Sequence, residues 1–260
     1  MMFSHLKEEI GLDITSEMPF SAYSRLFMAS ILPESIEKVL YLDCDIVIRD
    51  NIRELYDTPF EGALVCGVLD MVLSNTYRKL VGLPNGEPFI NAGVQLVALK
   101  AWREEHLQQR IVDFIRTKNG KVFHHDEGVI NAVCAGKKKI VSPRFNTINN
   151  YFNYPYKYMK LITPDFYTEQ EYNEARNNPA IIHYTGLLSG RPWEEGCTHP
   201  FKKLYFDYQQ QTVYKDRPLS LHHYPLLDRV TRGIYKYFPF VFYATFMKVI
   251  YALVGLKQKS

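Results

Sequence analysis

The chain has 260 residues, of which 47% are hydrophobic and 23% are charged, and this composition excludes a largely disordered protein and predicts a sizeable core. The formal net charge of +3 is too small to indicate a nucleic-acid-binding protein, so we expect no nucleic-acid partner. The four cysteines, Cys44, Cys66, Cys134 and Cys197, form no CxxC pair, which argues against a zinc site or a disulfide framework and favours a reducing cytoplasm.

The first half of the chain alternates predicted helices with predicted buried strands. The hydrophobic pattern predicts a helix over 21–32, a strand over 38–42, a short helix over 51–56, and strands over 63–69 and 89–97. Arg25 lies on the first helix, where an isolated arginine is usually a solvated surface charge. Gly93, in the last of these strands, indicates either a close approach of the backbone to a ligand or a bulge.

Acidic residues follow two of these strands. Asp43 and Asp45 come after the strand over 38–42, and Asp70 ends the next strand. Because side chains at i and i+2 of an extended segment project to the same side, Asp43 and Asp45 can converge on one point. Two converging carboxylates suit Mg²⁺ or Mn²⁺, which could in turn hold a diphosphate. The alternative is that both carboxylates cap the following turn, and the spacing alone leaves both readings open.

A second group of polar residues precedes a helix in the middle of the chain. An amphipathic helix is predicted over 102–118 and a shorter apolar one over 129–134. The segment 124–127, which reads His-His-Asp-Glu, lies just before the shorter helix, where acidic side chains are favoured. The two adjacent histidines face opposite ways on an extended segment, so we do not expect them to share a metal.

The segment 143–178 is rich in Asn, Tyr and Pro, and we expect a long ordered loop with a short helix near 168–176. A buried strand over 179–184 follows, then a helix over 201–211. The strand carries His183 near its end, and a lone histidine there is more often structural than a ligand.

The last part of the chain differs from the rest, because no acidic residue follows Asp228. Lys248 is the only charged residue from 237 to 256, and basic residues flank this aromatic run. We favour an interfacial segment on anionic lipid, with a docked helix or a membrane span as alternatives. We therefore divide the chain into a main domain, 1–215, and a membrane-associating tail, 216–260.

Four separated motifs resemble those of the family 8 retaining glycosyltransferases, in the order and rough spacing of the bacterial lipopolysaccharide galactosyl- and glucosyltransferases. They are YLDCDIVIRD, FINAGVQLVALKAW, HHDEGVINAV and IIHYTG…RPW, and the similarity covers residues 18–211. It implies a GT-A type α/β fold, in which a Rossmann-like mixed sheet is flanked by helices, here with an aromatic and basic helical tail.

The resemblance also implies an activity. A hexose would move from UDP-glucose or UDP-galactose to a saccharide or glycolipid acceptor during lipopolysaccharide or capsule-type glycan synthesis. The protein would be cytoplasmic and peripheral on the inner face of the cell membrane. No GxxxxGK[ST] or GxGxxG motif occurs, so a nucleotide would be held through a metal.

Site residues follow from the same resemblance. Asp43, Asp45 and His183 match the ligands of Mn²⁺, with Mg²⁺ as the alternative ion. The other matched positions contact the donor, the transferred sugar or the acceptor, and these are Arg25 (donor), Asn91 and Asp126 (transferred sugar), Asp70 (acceptor), and Gly186 and Arg191 (the loop over the phosphates).

Three departures from the family pattern bear on activity. Glu127 replaces a Gln on the reacting face, and a carboxylate there could support a covalent glycosyl intermediate; same-face displacement is the alternative. Arg191 stands in place of a Lys, after two extra residues. Nothing in the sequence matches the strand and loop that hold uracil and ribose, which predicts poor nucleotide affinity.

Two other functions remain open at this point. A catalytically impaired member of the family could act as a binding or scaffold module. A metal-dependent phosphohydrolase could use the same aspartate pair, but the sequence lacks a second carboxylate cluster for a two-metal site.

Overall fold

The computed structural model describes residues 20–71, 78, 80–221 and 224–257. The strands are β1 (Val39–Leu42), β2 (Ile46–Ile48), β3 (Val65–Leu69), β4 (Ile90–Val97), β5 (Lys138–Ile140), β6 (Thr147–Ile148) and β7 (Ile181–His183). The α-helices are α1 (Met28–Ile31), α2 (Arg53–Tyr56), α3 (Leu99–Glu104), α4 (Leu107–Thr117), α5 (His125–Val133), α6 (Asn150–Asn153), α7 (Tyr156–Ile162), α8 (Glu169–Asn177), α9 (Lys202–Gln209), α10 (Leu226–Tyr237) and α11 (Phe240–Lys257). Short 3₁₀ helices span Phe20–Phe27, Pro143–Asn146 and Leu187–Ser189.

The predicted mixed sheet is present, and the described residues add a second, smaller one. The larger sheet has the order β1-β4-β3-β5, in which β4 is antiparallel to β1 and β3, and β5 is parallel to β3. The smaller sheet has the order β2-β7-β6, with β7 antiparallel to β2 and parallel to β6. The chain crosses from one sheet to the other between β1 and β2, where the two aspartates lie.

The core on one side of the larger sheet explains why the first half was predictable. Strands β3 and β4 are buried along their whole lengths, as expected for continuous apolar runs with little exposed face. Helix α4 buries Leu107, Ile111, Val112 and Ile115, which follow helical spacing. Each fully buried side chain of this kind contributes on the order of 1.5–3 kcal/mol.

The segment 143–178 is more helical than predicted. It forms a 3₁₀ helix, β6, α6, α7 and α8, and only α8 was expected. Half of its buried apolar side chains are tyrosines, which obscure an amphipathic pattern because the hydroxyl makes them partly polar. Tyr172 is buried and its hydroxyl donates to the carbonyl oxygens of Tyr154 (2.6 Å) and Tyr151 (3.1 Å), which removes the cost of burying it.

The C-terminal helices α10 and α11 contact the main domain through one face. Tyr243 is 1% exposed, and its hydroxyl lies 2.7 Å from that of Tyr154. Tyr235 donates to the carbonyl of Asn153 (2.8 Å), and Arg232 donates to the carbonyl of Leu188 (3.2 Å). Among the described residues, no helix is both long enough and apolar enough to cross a membrane.

These helices and the link between them also carry exposed apolar side chains. We call this set the tail ridge, and it consists of Leu226, Leu227, Val230, Tyr237, Phe238, Val241, Phe242 and Val249. Contact with the main domain therefore leaves apolar side chains of the tail exposed, so it is compatible with contact with a lipid surface. Membrane association and the division at residue 215 remain predictions.

Candidate active site

Three potential metal ligands meet where the two sheets join. Asp43 and Asp45 lie on the turn between β1 and β2, and His183 is the last residue of β7. Nε2 of His183 is 3.1 Å from Oδ1 of Asp45 and 3.9 Å from Oδ2 of Asp43. One ligand atom from each residue lies within 4.8 Å of the others, so the predicted convergence is confirmed.

The backbone fixes this cluster from both sides. The amide of Asp43 donates to the carbonyl of Gly93 (2.8 Å), and the amide of Tyr184 donates to the carbonyl of Asp45 (2.8 Å). Burial raises the pKa of the Asp45 carboxyl, but the hydrogen bond and charge of His183, a backbone hydrogen bond and the charge of Arg191 together hold that pKa below its usual value. The donor set of two carboxylates and one imidazole fits Mn²⁺ or Mg²⁺, and the imidazole favours Mn²⁺.

Gly93 leaves the space that the imidazole needs. A methyl group at this position would overlap the His183 ring and lie 2.8 Å from Oδ2 of Asp43. The pairing of β3 with β4 also shifts register between Gln95 and Ile90, so Gly93 lies within a local irregularity of the strand. The close approach at Gly93 is to a side chain of the protein and not to a ligand, and the register shift is what the alternative of a bulge predicts.

Arg25 is not the solvated charge that its sequence context suggested. Its guanidinium pairs with Oδ1 of Asp43 (2.8 Å) and Oδ2 of Asp126 (2.9 Å), and donates to the carbonyl of Ala92 (2.9 Å). It also lies over the Tyr41 ring, 4.4 Å from the centroid. Burial raises the pKa of the Asp126 carboxyl, and the charge of Arg25 acts against that rise. Arg25 thus ties the aspartate of the metal cluster to the acidic start of α5.

The start of α5 directs two carboxylates inward. His124 and His125 have left-handed backbones (φ +59° and +50°), which bend the chain into the helix. A side chain at Gly128 would collide with the carbonyl oxygen of Phe123, so the bend requires glycine there. The His124 ring packs on Phe123, with centroids 4.5 Å apart, and in the described chain the paired histidines belong to no metal-type cluster.

Glu127 lies among polar groups of β3 and β4. Its Oε2 accepts from the amide of Ala92 (2.9 Å) and from Nδ2 of Asn91 (3.2 Å), and the same Nδ2 donates to Oδ2 of Asp70 (2.8 Å). Burial raises the pKa of the Glu127 carboxyl well above its usual value, and the charge of Asp70 raises it further. Residues predicted separately for the transferred sugar (Asn91), the acceptor (Asp70) and the reacting face (Glu127) therefore lie in contact.

Asn146 also belongs to this site, although the sequence analysis did not identify it. It is fully buried, its Nδ2 donates to Oδ1 of Asn91 (2.7 Å), and its Oδ1 lies 2.9 Å from Nδ1 of His183. The sequence gives only a weak signal, the richness of 143–153 in asparagine.

The loop after β7 carries the predicted phosphate-contacting residues. Gly186 has a left-handed backbone (φ +94°), and the Arg191 guanidinium lies 3.3 Å from where its Cβ would be. Glu194, which is 3% exposed, accepts from the Arg191 amide (3.0 Å) and from the Tyr224 hydroxyl (2.7 Å). Asn149 Nδ2 donates to the carbonyl of Gly186 (2.6 Å). The charge of Arg191 also lowers the pKa of Asp45, so this loop borders the metal cluster.

A cavity of about 680 Å³ opens beside the aspartate turn. Asp43, Cys44 and apolar residues of β2 form one wall, and Tyr205, Tyr208 and Arg217 contribute to the other. Its apolar and aromatic lining next to the metal ligands can receive a ring that is attached to a charged group.

Comparisons with known proteins identify the family and the fold. The model of the glycosyl transferase family 8 matches residues 11–197, and the chain therefore belongs to this family. The galactosyltransferase LgtC, solved in complex with donor and acceptor sugar analogues, superposes with a TM-score of 0.63 at 22% identity, covering 86% of this chain and 76% of that one. This likeness places the mixed sheets and their helices in the GT-A type fold.

Curated relatives include glycosyltransferases of lipopolysaccharide synthesis. General stress protein A of Bacillus subtilis is 27% identical over 217 residues, which is 82% of this chain and 71% of that protein. Lipopolysaccharide 1,2-glucosyltransferase of Escherichia coli is 25% identical over 197 residues, which is 75% of this chain and 55% of that protein. The chain thus spans just over half the length of the second relative.

Proposed function

We propose that the protein transfers a hexose from UDP-glucose or UDP-galactose to a saccharide or glycolipid acceptor, with retention of configuration, in lipopolysaccharide or capsule-type glycan synthesis. The observation that carries this proposal is the Asp43–Asp45–His183 cluster, tied by Arg25 to the acidic start of α5. The lipopolysaccharide glycosyltransferases among the relatives support the class of substrate.

The donor diphosphate would be held by charge. Asp43, Asp45 and His183 would hold Mn²⁺, or Mg²⁺ as the alternative, and the bound ion would supply positive charge that stabilises the departing UDP. Arg191 would bind the phosphates from the loop after β7, and the planar guanidinium suits a bidentate contact. The left-handed Gly186 lets this loop turn close to the Arg191 side chain.

The sugar and the acceptor would lie on the other side of Arg25. We assign the transferred hexose to Asn91 and Asp126, and the acceptor to Asp70. These side chains lie in two hydrogen-bonded groups, one around Asn91 and one around Arg25, which meet at the backbone of Ala92. Their relative positions are therefore fixed before substrate arrives.

For retention we favour a covalent route through Glu127. Its carboxylate attacks the anomeric carbon, the bond from that carbon to the diphosphate oxygen breaks, and UDP leaves with the electron pair. The acceptor hydroxyl then displaces the carboxylate and gives its proton to the UDP product. In the competing route, the acceptor attacks from the face that UDP leaves. A trapped glycosylated peptide containing Glu127 supports the first route, and a fully active Glu127→Gln variant supports the second.

Transfer and donor hydrolysis with added Mn²⁺ test the proposed activity. Asp45→Asn should abolish both reactions, because it removes a charged ligand. Asp207→Asn is the matched control, since Asp207 is exposed on α9 and pairs only with Lys203 among the described residues. Donor binding without turnover in the unmodified chain would contradict the proposal and support a binding or scaffold module.

We also propose that residues 216–260 bind an anionic membrane surface, which would place the enzyme on the cytoplasmic face of the cell membrane. The tail ridge is apolar and exposed, and no acidic residue follows Asp228 while basic residues flank the ridge. Apolar insertion and attraction to anionic lipid act together in such segments.

Vesicle sedimentation tests the membrane proposal. The protein should bind phosphatidylglycerol-containing vesicles more tightly than pure phosphatidylcholine vesicles, and Phe242→Ser should weaken that binding. Val213→Ser is the control, because Val213 is 91% exposed but lies outside the tail ridge. Equal loss in both variants, or no preference for anionic vesicles, would contradict the proposal.

A further inference from the structure

We propose that Asn146 is a positioning residue that fixes which ring nitrogen of His183 faces the metal site. The inference rests on the proposed metal-dependent function, and it concerns three buried side chains, Asn91, Asn146 and His183. These side chains form a chain of hydrogen bonds from the sugar side of the site to the metal side.

The backbone sets the direction of the first amide. The amide N–H of Gly93 can only donate, and its partner at 3.0 Å is therefore Oδ1 of Asn91. The other end of the Asn91 amide must then carry Nδ2, which faces the carboxylates of Asp70 (2.8 Å) and Glu127 (3.2 Å). A carboxylate oxygen accepts a hydrogen bond from Nδ2, so the contacts of Oδ1 and of Nδ2 support the same orientation of the Asn91 amide.

The direction passes from Asn91 to Asn146 and then to His183. The atom of Asn146 that lies 2.7 Å from Oδ1 of Asn91 must be a donor, so it is Nδ2. Oδ1 of Asn146 therefore faces Nδ1 of His183 at 2.9 Å, and it can only accept. Nδ1 must therefore carry a hydrogen. In the cationic ring Nε2 also carries one and donates to Oδ1 of Asp45 (3.1 Å), and in the neutral ring Nε2 is left as the nitrogen that can offer a lone pair to a cation between Asp43 and Asp45.

Rigid backbone holds Asn146 in place. It ends the 3₁₀ helix Pro143–Asn146 and leads directly into β6, which pairs with β7 so that Ile148 lies opposite His183. Asn146 is fully buried, so water cannot replace its amide. A side chain without an acceptor at this position would let the imidazole adopt the other tautomer or turn away.

The test measures the tautomer and metal binding separately from activity. Long-range ¹H–¹⁵N spectra of histidine-labelled, metal-free protein, recorded where the ring is neutral and assigned with a His183→Gln variant, report which nitrogen carries hydrogen. Titration with MnCl₂ alone, followed by electron paramagnetic resonance, reports the affinity. The variants are Asn146→Leu, Asn146→Ala and Asn146→Asp, with Asn153→Leu as the matched control because Asn153 is buried but its side chain is not bonded to the site.

We expect hydrogen on Nδ1 in the unmodified protein and in Asn146→Asp, which keeps an acceptor. Asn146→Leu and Asn146→Ala should show mixed tautomers and bind Mn²⁺ roughly 10–100-fold more weakly, as for loss of other partners of metal-bound histidines. Asn153→Leu should change neither value. A folded Asn146→Ala protein with an unchanged tautomer and unchanged Mn²⁺ affinity would overturn the inference.

Failure of the proposed function would look different. If the unmodified protein bound no Mn²⁺, the metal-dependent activity would be wrong. The tautomer in the unmodified and variant proteins would still decide whether Asn146 orients the ring.

Discussion

Gly93 and His183 occupy adjoining space, and a Cβ atom at position 93 would overlap the imidazole ring. This contact lies between the two sheets, because Gly93 belongs to β4 and His183 to β7. The metal-type cluster therefore depends on a residue that offers no ligand itself.

Gly93→Ala should weaken Mn²⁺ binding and transfer activity while leaving a folded protein. The added methyl group pushes the His183 ring away from Asp43, so we expect at least a 10-fold weaker Mn²⁺ complex, by analogy with other disturbed supporting contacts of metal ligands. Calorimetry with MnCl₂ measures this. Gly233→Ala is the control, because a Cβ at Gly233 in α10 meets open space and should stabilise the helix by roughly 1 kcal/mol or less.

Arg25→Ala should destabilise the fold as well as abolish transfer. It leaves the buried Asp126 carboxylate unpaired, and breaking a buried ion pair costs about 3–5 kcal/mol. Urea unfolding measures the loss. Adding Asp126→Asn should restore part of the stability but not the activity, whereas Arg53→Ala, at an exposed pair with Asp57, should cost less than about 1 kcal/mol. Additive losses in the double variant would contradict this pairing.

Glu127→Gln should raise the melting temperature at neutral pH. Burial raises the pKa of the folded-state carboxyl, so its favourable contribution exists below the unfolded pKa and is lost as pH rises through the folded pKa. The advantage of the amide should therefore shrink as the buffer is taken toward about pH 4.5, the usual pKa of glutamate. Thermal scans from pH 4.5 to 8 measure the difference. A constant difference across this range would contradict burial as the cause.

Protonation of His199 should lower the free energy of unfolding in acid. Burial among aromatic rings lowers its pKa to about 4, so its contribution is present above the unfolded pKa near 6.5 and is lost as pH falls toward 4. The loss approaches about 3 kcal/mol, since one pKa unit corresponds to about 1.4 kcal/mol. The His199→Asn variant keeps an acceptor for the Phe201 amide, and its free energy of unfolding, measured with denaturant, should not show this loss in acid. The control variant His106→Asn, which replaces an exposed histidine, should show the same loss of stability in acid as the unmodified protein.

The sequence allowed the buried strands and the aspartate pair to be predicted for physical reasons. Strands β3 and β4 are buried along their whole lengths, so their apolar character is continuous and visible. Asp43 and Asp45 are two residues apart, so their convergence depends only on the local chain, although they lie on a turn and not in the extended segment that the prediction assumed. The third ligand, His183, came from the family resemblance, since no local rule links it to residues so distant in the chain.

Three features could not be predicted because they depend on long-range packing. Arg25 reads as a surface charge until Asp43 and Asp126 are brought to it. Asn146 carries no charge and no metal-ligand signature, so its role appears only when Asn91 and His183 lie on either side of it. The helices within 143–178 show little apolar periodicity because tyrosines supply much of their buried surface.

The hydrogen bond from Tyr224 to Glu194 attaches the loop after β7 to a residue that lies just before α10. Glu194 also holds the Arg191 amide, and Arg232 of α10 donates to the carbonyl of Leu188 on the same loop. A truncated chain that stops before Tyr224 would keep Asp43, Asp45 and His183. It would lose the hydrogen bonds that Tyr224 and Arg232 donate to the loop. We therefore expect the truncated protein to bind a diphosphate more weakly than the untruncated protein does. Its affinity for a divalent metal ion alone should be unchanged.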